Sequence, residues 1–163
     1  MSKIINVKEA EILSKKLQKT GKKIVIAGGC FDILHLGHIK FLEKAKESGD
    51  FLFVLLENDE SVKKLKGKDR PINNQKDRAE ILTAISFVDY VILLNEMKSN
   101  NDYDNLIFKL KPNIIATTKN DPQIIHNIRQ AKIINARVIL VINRIKNKST
   151  SHLAKIIFKN FEK

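Results

Sequence analysis

The sequence predicts an α/β fold, a three-layer sandwich in which helices cover both faces of a parallel sheet of about five strands. Three observations lead there. Five short apolar, β-branched runs recur along the chain, helical-period segments separate them, and no repeat, low-complexity tract or break in composition divides the chain. One domain over residues 1–163 follows, at a length that can bury a sizeable core.

A first helix is expected over residues 7–19, where Ala10, Ile12, Leu13 and Leu17 fall close to one face and Gly21 supplies a stop. The strands are expected at residues 23–27 (KIVIA), 51–57 (FLFVLLE), 88–94 (VDYVILL), 113–117 (NIIAT) and 137–142 (RVILVI). Each run is nearly continuous rather than alternating, as strands covered on both faces require. Helical periods fill the intervals. Residues 36–47 carry Ile39, Leu42 and Ala45 before Gly49, residues 74–86 carry Ala79, Ile81, Leu82 and Ile85, and residues 121–136 and 149–158 repeat the pattern. Residues 95–104 (NEMKSNNDYD) are expected as a polar surface connection, with a mobile lid as the alternative. In sheets of this kind ligands bind beyond the carboxyl ends of the strands.

Composition narrows the class. An apolar fraction of 43% with 29% charged residues belongs to a soluble globular protein. No apolar run approaches the roughly 20 residues needed to cross a bilayer, so no membrane partner is expected. The N-terminus lacks the apolar core of a signal peptide, and Cys30 alone cannot form an internal disulfide, so a reducing, cytoplasmic setting is expected. Thirty Lys and Arg against 18 Asp and Glu leave a formal charge of +12, which favours anionic ligands without choosing among them. Few aromatics and no Trp argue against stacking platforms for nucleic acid.

The informative segment is residues 28–38, GGCFDILHLGH, which runs from the first expected strand directly into a helix. Gly28 and Gly29 let the backbone turn and phosphate approach closely, and Gly37 removes a side chain between two histidines. His35 and His38, three apart at a helix start, share a face. There they can donate hydrogen bonds to phosphate oxygens as charge builds, helped by the helix dipole. Two His with Asp32 could instead form a metal site, but no further Cys or His lies near in sequence to complete four zinc ligands. Neither the Walker spacing nor Gly-x-Gly-x-x-Gly is present.

Residues 29–38 resemble the signature of the cytidylyltransferase-like, His-x-Gly-His nucleotidyltransferases. Residues 65–73 (LKGKDRPIN), then Arg78 and Val88-Asp89, resemble the middle of the adenylyltransferase domains of ADP-heptose synthases, and the opening helix followed by Gly21-Lys22-Lys23-Ile24-Val25 is similar to stand-alone versions of that domain. Ser149-Thr150-Ser151 is similar to the family element that opens the last helix, and Arg144 falls where glycerol-3-phosphate cytidylyltransferases carry a basic residue. The resemblance spans residues 20–158. It implies a Rossmann-like sandwich of the nucleotidyltransferase type, AMP or CMP transfer from ATP or CTP to a small phosphorylated acceptor, Mg²⁺ as cofactor, and a homodimer. It implies catalytic roles for His35, His38, Lys66 and Arg144, with Lys63, Lys64 and Lys68 as rivals to Lys66. Gly28, Gly29, Cys30, Phe31, Asp32, Gly37, Arg78 and Thr118 would line the nucleotide, and Ser149, Thr150 and Ser151 would hold its β- and γ-phosphates. Asp32 would either orient the strand-end turn or help place Mg²⁺.

Two places depart from the family pattern. Relatives end the fourth expected strand in a Gly-rich turn, whereas this chain reads Thr117-Thr118-Lys119-Asn120-Asp121-Pro122. Lys146-Asn147-Lys148 stands where relatives tend to carry small residues. Three functions therefore compete: an adenylyltransferase for a sugar 1-phosphate, a cytidylyltransferase for glycerol 3-phosphate or a related alcohol phosphate, and a degenerate relative that binds nucleotide or RNA without catalysis.

Overall fold

A computed structural model describes residues 2–142. Its strands are β1 (Ile4–Asn6), β2 (Ile24–Gly29), β3 (Phe51–Leu56), β4 (Tyr90–Leu93), β5 (Ile114–Thr118) and β6 (Arg137–Ile142). Its helices are α1 (Val7–Lys19), α2 (Leu36–Lys46), α3 (Asp59–Lys66), α4 (Gln75–Thr83), α5 (Asn100–Leu110) and α6 (Ile124–Ile134). The strands form one sheet in the order β1-β4-β3-β2-β5-β6, and every pairing is parallel.

The continuous apolar runs have the burial that their pattern predicts. Residues 24–27 of β2 and 52–56 of β3 are buried throughout, because helices cover the sheet on both sides. One face packs against Phe41, Leu42 and Ala45 of α2 and Ala79 and Leu82 of α4. The other packs against Ala10 and Leu13 of α1, Leu106, Ile107 and Leu110 of α5, and Ala131 of α6. Chain order reverses at β2, which pairs with β3 on one side and β5 on the other. In α/β sheets such a reversal marks the carboxyl end where ligands bind, here the end of β2.

The sheet has six strands among the described residues rather than about five. The addition, β1, is three residues long and pairs only with β4, from Ile4↔Val91 to Asn6↔Leu93. Such a segment is too short to carry a period of its own. Two helices also differ from expectation. Asn58 caps α3 by accepting from the Ser61 N–H, with Asp59 and Glu60 in the first turn. Ser99 and Asp102 form a capping box that starts α5 at Asn100, so the connection after β4 shrinks to residues 95–99. The helix expected at residues 149–158 lies outside the described residues.

Candidate nucleotide-binding site

The site begins where β2 ends. A side chain at Gly28 would meet nothing within 4 Å, so the strand end faces open space there. A Cβ at Gly29 would lie 2.9 Å from the ring of Phe31. Phe31 itself has φ 44°, a left-handed conformation that costs a non-glycine residue about 1 kcal/mol. The turn is held by packing: the Phe31 ring is buried and meets His38 edge-on at 5.2 Å between centroids.

Asp32 locks the same turn. Its carboxylate accepts from the N–H groups of Ile72 (2.8 Å) and Asn73 (3.0 Å) and from the guanidinium of Arg70, while Asn73 Nδ2 donates to the Asp32 carbonyl oxygen (3.1 Å). Burial alone would push this carboxyl up; the two N–H groups and Arg70 together hold it below the usual range. With its acceptor positions facing these donors, Asp32 serves as the orienting group of the turn. Among the described residues no three His, Cys, Asp or Glu side chains gather into a metal site.

Arg78 is fully buried at the fourth position of α4. Its guanidinium donates to the carbonyl oxygens of Cys30, Asn73 (3.0 Å) and Glu57 (2.8 Å) and to the Asp59 carboxylate (2.8 Å). The residue expected beside the nucleotide thus works as a strut beneath the platform, joining the ends of β2 and β3 to the segment before α4.

His35 occupies the N-cap position of α2, with extended backbone (φ −146°, ψ 170°), and its carbonyl accepts from the N–H groups of His38 (2.9 Å) and Ile39 (3.2 Å). This turn stacks the two imidazoles at 3.8 Å between centroids and 22° between planes. Gly37 is the second residue of α2, between them in sequence. Burial, then the neighbouring His35 and Lys66, lower the His38 pKa from 6.5 to about 4, against a hydrogen bond with the Ile33 backbone. His38 is therefore neutral at pH 7, with its one ring N–H engaged by the Ile33 backbone.

The positive charge comes from elsewhere. Lys66 is the last residue of α3, and its charge is felt by both His38 and Cys30. Of its rivals, Lys63 pairs with Glu60 (2.6 Å) and Lys64 with Glu96 (2.5 Å). Lys66 has no ion-pair partner among the described residues. Thr118 ends β5, beside β2 in the sheet, and the turn after it is closed by the Thr117 hydroxyl donating to Asp121, whose carboxylate also accepts from the Gln123 N–H. Arg144, Ser149, Thr150 and Ser151 lie outside the described residues.

Three residues at the site escape a reading of the sequence: Arg70, Glu57 and Tyr103. Arg70 is legible only as part of a basic cluster. Glu57 leaves one trace, a carboxylate closing an otherwise apolar strand run. Tyr103 sits within the segment expected as a loop.

A family model described as cytidylyltransferase-like matches residues 26–157. The chain belongs to the cytidylyltransferase-like family. Among curated relatives of this cytidylyltransferase-like chain, the bifunctional protein HldE of a Nitratiruptor species is 53% identical over 112 residues, which is 69% of this chain and 23% of the relative. The HldE of Aliarcobacter butzleri is 51% identical over 114 residues, 70% of this chain and 23% of that protein. The chain thus matches under a quarter of the length of these relatives. Among solved structures, a lipopolysaccharide core biosynthesis protein from Thermoplasma volcanium superposes with a TM-score of 0.60 at 28% identity, covering 76% of this chain and 97% of that one. A pantoate-beta-alanine ligase from Francisella tularensis, at 20% identity and a TM-score of 0.70, covers 95% of this chain and 73% of its own and shares the Rossmann-like fold.

Proposed function

We propose that this chain transfers AMP from ATP to a sugar 1-phosphate of the heptose 1-phosphate type and releases pyrophosphate. The observation that carries this reading is the stacked His35–His38 pair at the start of α2, within the field of Lys66 and beyond the carboxyl end of the central strand. Family membership and the HldE relatives near half identity support it.

An oxygen of the acceptor phosphate attacks the α-phosphorus in line, the bond to the β-phosphate's bridging oxygen breaks, and pyrophosphate leaves with that electron pair. His38 gains a proton beside the anionic phosphates, and the two imidazoles donate hydrogen bonds to the α-phosphate oxygens, where negative charge accumulates. Lys66 and the N-terminus of α2 supply the positive potential. Gly28 leaves the phosphates room at the strand end. Arg144, Ser149, Thr150 and Ser151 would act on the β- and γ-phosphates. Mg²⁺ would neutralise phosphate oxygens; the Asp32 carboxylate, already occupied by Arg70, Ile72 and Asn73, does not fit it as a ligand. A cytoplasmic homodimer belongs to the same proposal. Among the described residues no helix is long and apolar enough to cross a membrane.

The test is pyrophosphate release with each of the four nucleoside triphosphates against a panel of phosphorylated acceptors. Release with ATP and a sugar 1-phosphate, abolished by His35→Ala or His38→Ala, is the expected result. Release with CTP and glycerol 3-phosphate would move the assignment to a cytidylyltransferase. Nucleotide binding with no release would favour the non-catalytic relative, and near-normal turnover in either His variant would refute the mechanism.

A further inference from the structure

Beside the histidine pair lies a second polar group that this mechanism does not use. Glu57 follows β3 directly, and its N–H donates to the Gly29 carbonyl at the end of β2 (3.2 Å). Glu57 is buried, 9% exposed as a residue. Both carboxylate oxygens face the hydroxyl of Tyr103 on α5, at 2.9 and 3.1 Å. Burial pushes the Glu57 carboxyl above its usual range, and the hydroxyls of Tyr103 and Ser61 offset that only in part. Burial beside this carboxylate also raises the Tyr103 hydroxyl well above its ordinary value, so it stays a donor.

A carboxylate offers about four acceptor positions, and the Tyr103 hydroxyl, its side-chain hydrogen-bond donor among the described residues, does not fill them. Among the described residues no ion pair reaches it: Arg78 donates to the Glu57 carbonyl oxygen and to Asp59, and acts on the Glu57 carboxylate only through its field. Burying a carboxylate is costly unless its acceptor positions are filled. Its position is informative. Glu57 acts electrostatically on Cys30, which in turn acts on Tyr103 and feels Lys66, so the pair lies near the phosphate-binding groups. It lies on the β3 side of β2, whereas Thr118 lies on the β5 side. On that β3 side the connection after β4 is tied to α3 by the Lys64–Glu96 pair.

We propose that Glu57, held by Tyr103, is a specificity-determining residue that accepts hydrogen bonds from neighbouring hydroxyls of the sugar 1-phosphate acceptor. The proposal rests on the transferase reading above. In-line displacement puts acceptor and leaving pyrophosphate on opposite sides of the α-phosphorus. If Thr118 on the β5 side meets the nucleotide, as the transferase reading has it, the acceptor sugar falls on the β3 side, toward Glu57. Tyr103 is a positioning residue that fixes the carboxylate. The ribose of the nucleotide offers the same diol chemistry, and steady-state kinetics separate the two sources.

The experiment measures pyrophosphate release by wild type, Glu57→Gln and Tyr103→Phe with ATP and a heptose 1-phosphate, varying each substrate in turn, with thermal unfolding as a control for folding. Loss of hydrogen bonds to a charged acceptor raises the KM for the sugar phosphate about tenfold or more in Glu57→Gln, with a smaller rise in Tyr103→Phe, while the KM for ATP changes less than about twofold. A deoxy acceptor lacking one hydroxyl is penalised in wild type and much less in Glu57→Gln. An unchanged acceptor KM in a folded, active Glu57→Gln, or a rise confined to ATP, overturns the proposal and leaves the transferase reading intact. Wild type inactive with every sugar phosphate overturns that reading and this proposal with it.

Discussion

Asp32→Asn separates an orienting aspartate from a metal ligand. The wild-type carboxylate accepts from the Arg70 guanidinium and from two backbone N–H groups in a setting only 3% exposed. An asparagine oxygen can retain part of that set, but its NH₂ then faces donors, and Arg70, largely buried, loses its counter-charge. Removing one partner of such a buried pair costs about 3 kcal/mol. For a chain of this size that corresponds to a fall in Tm of about 6–12 °C. Differential scanning calorimetry at pH 7 measures it. The pH dependence carries a sign as well. The folded-state pKa lies below the ordinary 3.8, so the stability Asp32 contributes is present above that value and is lost as pH falls through the folded value. The variant should therefore lose less stability than wild type on acidification. A Tm within about 2 °C of wild type, coupled to a raised Mg²⁺ requirement for turnover, would refute the reasoning and return Asp32 to the metal.

Three further outcomes follow from the same geometry. The His38 ring protons should titrate by NMR with a midpoint near 4 rather than 6.5, so the stability tied to its neutral form falls as pH drops through that interval; a midpoint near 6.5 would contradict the burial described. Gly28→Ala should leave Tm nearly unchanged yet weaken nucleotide binding measured by calorimetry, whereas Gly29→Ala should lower Tm by pressing on the Phe31 ring; the reverse order would show that the strand end faces elsewhere. Arg78→Lys keeps the charge but loses the planar fork that spans three carbonyl groups, and should cost about 2–4 kcal/mol in denaturant unfolding; a loss below about 0.5 kcal/mol would sink the strut assignment.

The parts of the molecule legible in the sequence are those whose cause is local. Residues 24–27 and 52–56 read as strands because burial on both faces leaves no polar position to confuse the pattern. The His35–His38 pair reads from spacing alone, since one helical turn sets the distance between the rings. Asp32 and Arg70 are 38 residues apart and Glu57 and Tyr103 are 46 apart, so only the sheet order brings them together. Ile4–Asn6 is a strand because β4 offers a free edge, which three residues cannot announce. In α3 only Ser61 and Val62 are buried, too little apolar surface to set a helical period, and its caps are the only local sign.

Arg78 joins stretches of chain that are distant in sequence: the end of β2, the residue after β3 and the segment before α4. Breaking any of these contacts exposes the others to water, so the stretches open together or stay closed together. Amide exchange around residues 29–32, 56–58 and 72–74 should then share one protection level, and that protection should rise in concert when nucleotide is added. The phosphate platform would behave as a cooperative unit whose rigidity is set from below, by a fully buried side chain.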